Sequence, residues 1–92
     1  MDKRELVARA ARKTTLTNRQ VRDALDAVLE TIAEGLIAGE SVALSDFGRF
    51  VAQEHRDQQV HGFDGRLCHV ESRPLPVFKS SAVLRRRLKE RE

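Results

Sequence analysis

Tryptophan and tyrosine are absent, and four phenylalanines are the only aromatic residues in 92 positions. At this length a monomer buries only about 60 to 65% of the surface its unfolded form exposes. Cys68 is the single cysteine, so no disulfide can form within the chain, which fits a reducing compartment. No apolar run approaches the roughly 20 residues that a bilayer span requires, and no membrane role is expected. The opening Met1-Asp2-Lys3-Arg4-Glu5 alternates charge and leads into no hydrophobic signal-type stretch, so the expected location is the cytoplasm. No phosphate-cradling glycine loop and no set of nucleophile, base and oxyanion donors is visible. The expectation is therefore a protein that is not an enzyme, with no cofactor and no small-molecule substrate.

Basic residues exceed acidic ones only slightly, 17 against 14, for a net charge of +3. Their distribution is more telling. Residues 1–40 carry seven of each sign and residues 41–78 four basic against five acidic, whereas residues 79–92 carry six basic against two acidic. Lys79, Arg85, Arg86, Arg87, Lys89 and Arg91 crowd this last segment, and such a patch suits a polyanionic partner.

Asp2 is placed to cap a helix whose third position is Glu5, a reciprocal capping arrangement, and Leu6, Val7, Ala10 and Ala11 follow at helical spacing to about Lys13. A second pair, Thr17 with Gln20, opens a longer helix that Gly39 ends as a left-handed cap. Val21, Leu25, Val28, Leu29, Ile32 and Leu36 form a broad apolar stripe along it. One short preceding helix cannot cover such a stripe, so the pattern predicts a second copy of the chain packed against it. The broad stripe and balanced charge also argue against a helix-turn-helix reader, whose second helix would enter a major groove.

From Ser41 the period becomes two. Val42 and Leu44 alternate with small residues, Asp46-Phe47-Gly48 breaks the run, and strand resumes from Arg49 to Glu54, which reads as a hairpin. Gln53 to Glu71 lack a hydrophobic face and centre on Gly62-Phe63-Asp64-Gly65, a turn that predicts a second, protruding hairpin. Pro74 and Pro76 confine the returning strand to an edge or an irregular path. Ser80 or Ser81 then caps a short helix with Val83, Leu84 and Leu88 inward.

Two capped helices, Phe47-Gly48-x-Phe50, a polar ribbon, Pro76-x-Phe78-Lys79 and a basic terminal helix together resemble the HU and integration host factor family of bacterial nucleoid proteins. Lys3, Glu5-Leu6, Lys13-Thr14, Leu16, Asp26-Ala27-Val28, Gly39, Val42 and Leu44 also fall where that family has like residues. The resemblance implies an α+β chain in a single domain: a helical dimerisation part over residues 1–40, sheet and arm over 41–79 with the arm at about 55–72, and a basic helix over 80–92. It implies an intertwined homodimer, or a heterodimer with a related subunit, associated with the nucleoid. The partner it implies is double-stranded DNA, bound with little sequence specificity through phosphates and the minor groove and bent by inserted apolar wedges, as is known of this family.

The middle of the chain departs from the family pattern. Where relatives carry a basic ribbon with an Arg-Asn-Pro tip, this chain has Gln58, Gln59, Val60, His61, Gly62 and Phe63. Aligning Pro76-x-Phe78-Lys79 leaves the arm about one residue short and sets Phe63 near the wedge proline. Phe63 is then a candidate wedge, or a ring folded back on its own arm. His55, His61, His69 and Cys68 invite a metal reading, but their spacing matches no compact ligand pattern and polar filler is the better account. Protonation of these histidines in mild acid would make the arms more cationic. Lys3, Arg49 and Lys79 match family positions near the DNA-facing flank, and Gly48 and the Ser80-Ser81 helix start are expected to offer backbone N–H groups to phosphate. Arg56, Arg66 and Arg73 are the remaining cations of the arm and its base, and Arg85 and Arg86 are expected to reach phosphate. Phe47, Phe50 and Phe78 join the helical stripe as the dimer core. A rival reading from another class is a dimeric interaction protein whose charge-poor arms meet a protein partner instead of DNA.

Overall fold

The computed structural model describes the backbone of residues 1–54, 58–61, 67–70 and 73–91, and the side chains of residues 1–54 and 73–91. The elements in chain order are α1 (Lys3–Ala11), α2 (Asn18–Ile37), β1 (Val42–Leu44), β2 (Gly48–Glu54), β3 (Gln58–His61), β4 (Leu67–Val70), β5 (Pro74–Ser80) and α3 (Ala82–Lys89). They fall into two compact units, Met1–Glu34 and Gly35–Glu92. The three helices, the small antiparallel sheet and the paired ribbon strands expected of an α+β chain are present among the described residues, and no described helix is long and apolar enough to cross a membrane.

In the first unit the Asp2 carboxylate accepts the Glu5 N–H at 2.9 Å and caps α1. Reciprocity fails here: the Glu5 carboxylate pairs with Arg9 one turn on, at 2.7 Å, since a cation offers it a stronger partner than a solvated N–H. Helix α1 stops at Ala11 and not at Lys13, because the N–H groups of Lys13 and Thr14 turn back to the carbonyls of Ala10 and Ala11. Such i→i+3 bonds tighten the final turn and release the chain. The second cap is fully reciprocal. Thr17 N–H donates to Gln20 Oε1 at 3.0 Å and Gln20 N–H to Thr17 Oγ1 at 3.1 Å, which satisfies two of the orphan donors of α2.

Gly39 ends α2 at a φ of 83°, donating to the Leu36 carbonyl while Glu40 N–H donates to that of Gly35. This crossed pair is a Schellman termination, and it needs the left-handed backbone that glycine adopts without strain.

In the second unit β1, β2 and β5 form an antiparallel sheet with β2 in the middle. The β1–β2 turn is closed by Phe47 N–H donating to the Leu44 carbonyl at 3.1 Å, with Asp46 in left-handed backbone at a φ of 64°. Strand β5, which holds both prolines, lies at the edge as expected, since a residue without an N–H is tolerated where one side of the ladder is unpaired. Strands β3 and β4 pair antiparallel in a separate two-stranded ribbon, with Gln59 opposite His69 and Val60 opposite Cys68.

A single chain has almost no interior. Val7, Ala11 and Gly48 are the only buried residues among those described. Not one residue of α2 is buried, and Val28 and Leu29 are about half-exposed, at 51% and 46%. Phe78 is tilted against both Phe47 and Phe50, with ring centroids 5.4 and 5.1 Å apart. Yet Phe47 and Phe78 remain 47% and 40% exposed. The aromatic cluster forms within the chain, but the chain alone does not cover it.

Candidate nucleic-acid interface

The site is built on the close approach of β2 and β5. A Cβ at Gly48 would lie 2.5 Å from the Lys79 carbonyl oxygen and 2.6 Å from Phe78 Cζ, so only glycine lets the two strands and the Phe78 ring meet. This steric demand was not legible in the sequence, where Gly48 reads as a turn residue or a backbone donor. The β2–β5 register then sets Arg49 directly opposite Lys79 and Phe50 opposite Phe78. Directly opposed residues share one face of a sheet. One face therefore carries the aromatic cluster, and the other brings two cations side by side.

The chain leaves β5 through Ser81. Its N–H donates to the Phe47 carbonyl at 2.9 Å, anchoring the start of α3 to the β1–β2 turn. Its hydroxyl accepts Leu84 N–H at 3.0 Å, which settles the cap on Ser81 and not Ser80. Ser80 serves otherwise: its carbonyl and its hydroxyl both accept from the Arg85 guanidinium. With the Ser81 N–H already engaged, the donors left at this helix start are the N–H groups of Ala82 and Val83, which have no intrahelical partner.

These contacts shape an open cleft of about 420 Å³ whose lining includes Leu44, Gly48, Arg49, Lys79, Ser81 and Arg85. Among the described residues no carboxylate pairs with Arg49, Lys79, Arg85 or Arg86. Arg85, Arg86 and Arg87 are all exposed on α3 but point in different directions, because successive helical residues are 100° apart. Arg73, just before β5, is exposed. Arg56, Phe63, Arg66 and His55 lie outside the described residues, as do the side chains of His61, His69 and Cys68. The β3–β4 register makes no two of His61, Cys68 and His69 partners.

Lys3 has a different setting. It pairs with Asp26 of α2 and lines a second cleft, of about 640 Å³, with Arg4, Val7, Asn18, Arg19 and Arg22. The two clefts share no residue. Arg4, Arg19 and Arg22 were not singled out from the sequence; their signal was the i,i+3 spacing of Arg19 and Arg22, hidden by the even charge balance of residues 1–40.

A family model described as bacterial DNA-binding protein matches residues 1–89 of this chain. The chain belongs to that family. Among its relatives is the DNA-binding protein HU of Streptococcus thermophilus, 34% identical over 85 residues that cover 91% of this chain and 93% of that one. HU of Thermotoga maritima is 32% identical over 90 residues, covering 97% and 100%. An Anabaena HU chain solved in a cocrystal with DNA is similar at a TM-score of 0.85 and 28% identity, over 99% of this chain and 100% of that one. The solved HU of Thermotoga maritima is similar at 0.68 and 30% identity, over 96% and 98%.

Proposed function

We infer that this chain is an HU-type architectural protein that binds duplex DNA through phosphates and the minor groove, with little sequence specificity, and bends or compacts it as a dimer. The observation that carries this is the cleft at Arg49, Lys79 and Arg85, in a chain that matches an HU chain solved with DNA along its whole length. Two adjacent cations, an arginine ordered on Ser80 and the first N–H groups of α3 suit a phosphate ester, which takes hydrogen bonds and charge together. The unburied apolar stripe of α2 and the half-exposed Phe47 and Phe78 supply what a second copy would cover, since a stripe of this kind is stable in water only when packed. No reaction is proposed: the protein acts by binding and deforming DNA, in the cytoplasm and on the nucleoid. The rival reading, a partner-binding protein on the same fold, is not favoured, because it leaves the unpaired cations of the β2–β5 flank without a role.

Titration of a labelled duplex over a range of salt tests the proposal. Binding that weakens steeply with salt is expected, as counterions released from phosphates are recaptured. A slope of log K against log salt near zero, or no binding at low salt, would defeat it.

A further inference from the structure

The second cleft lies wholly within the first unit and needs its own account. Lys3 and Arg4 come from the start of α1, and Asn18, Arg19 and Arg22 from the first turns of α2, over the buried side chain of Val7. Four cations thus converge on about 640 Å³ of concave space. Arg19 and Arg22 have Asp23 and Asp26 at i,i+4, a spacing at which helical ion pairs form. Neither pair forms; Asp26 is taken by Lys3, and the guanidinium groups of Arg4, Arg19 and Arg22 have no carboxylate partner among the described residues. One acid against four cations leaves a charge of about +3 facing one cavity, a local field that favours a polyvalent anion.

We propose that this α1–α2 cleft binds a free oligophosphate, the triphosphate of a nucleotide or an inorganic polyphosphate chain. Its volume lies in the range of small-molecule sites, roughly 300 to 1,000 Å³. Guanidinium groups bind phosphate oxygens in pairs, and three of them with an ammonium suit several linked phosphates better than one. A nucleic-acid strand carries a single charge per phosphodiester, spread along its axis, so it brings less charge into one cavity than a triphosphate does. Asn18 adds an amide that donates and accepts at the rim.

Calorimetric titration of the full chain with inorganic tripolyphosphate, orthophosphate and a short DNA duplex tests this. Tripolyphosphate is expected to bind the α1–α2 cleft at least tenfold more tightly than orthophosphate does. Arg19→Gln with Arg22→Gln should weaken it tenfold or more and Arg22→Lys less, while Arg49→Gln with Lys79→Gln should weaken it far less than the Arg19/Arg22 pair does. Amide shifts on adding tripolyphosphate should map to residues 3–7 and 18–22. All substituted side chains are exposed, and unchanged melting curves will show that the variants fold. Tripolyphosphate binding that is absent, or indifferent to Arg19 and Arg22, overturns the proposal. So does a cleft that only DNA engages, seen as duplex affinity lost in the Arg19/Arg22 variant without tripolyphosphate binding in the wild type. Duplex binding by the Arg49/Lys79 variant is scored separately, so failure here is distinct from failure of the DNA reading.

Discussion

Replacing Arg49 and Lys79 together by glutamine removes two cations that the β2–β5 register holds face to face. In a dimer that is four charges. If each neutralises one phosphate, log K should fall with log salt by about 0.9 per contact, so the variant's slope should be shallower by about 3.6. Between 50 and 200 mM salt the wild type should therefore lose on the order of 10² more affinity than the variant, and the two binding curves should converge as salt rises. Stability should move the other way or not at all, because like charges directly opposite each other in a sheet are destabilising. Weaker DNA binding could then not be ascribed to unfolding. The assay is fluorescence anisotropy of a labelled duplex at three or more salt concentrations, with thermal melts of both proteins. An unchanged slope would refute the assignment of this pair to phosphate, whatever the affinity at any single salt concentration.

Gly48→Ala forces a Cβ against the Lys79 carbonyl and the Phe78 ring, and should cost at least the roughly 1 to 3 kcal/mol of an overpacked core, read as a lower midpoint in chemical denaturation. Ser81→Ala removes the acceptor for Leu84 N–H and should cost about 1 kcal/mol; equal stability would show that the cap is replaced by water. Leu29→Arg on the unburied stripe of α2 should abolish the dimer in sedimentation experiments and lower stability with it, whereas a monomeric wild type would contradict the shared core. Phe63→Ala should reduce the bend of a duplex measured by energy transfer between its ends if the ring acts as a wedge; an unchanged bend excludes it.

Local order was readable because its causes are local. The Thr17–Gln20 cap, the Gly39 termination, the period change at Ser41 and the edge position imposed by Pro74 and Pro76 each depend on a few neighbouring residues, and all appear in the structure. Competition between partners decided what neighbours alone left open or wrong: Glu5 took Arg9 in place of the Asp2 N–H, and of the two serines offered as the α3 cap Ser80 went to Arg85 while Ser81 capped the helix. Periodicity was likewise enough to foresee an apolar stripe on α2 broader than the one short helix before it can cover, and the residues of that stripe are not buried. The site was less legible. That Arg49 faces Lys79 depends on strand register, and that Gly48 must be glycine depends on a ring 30 residues away in sequence. Lys3, Arg4, Arg19 and Arg22 meet only because two helices bring them together, and a one-dimensional count of charge records them as balanced. The sequence by itself determined the order of the elements, the Thr17–Gln20 cap, the Gly39 termination and an apolar stripe on α2 that is not buried. Only the tertiary structure decided which cations share a cleft, because charge acts through distance in space and not along the chain.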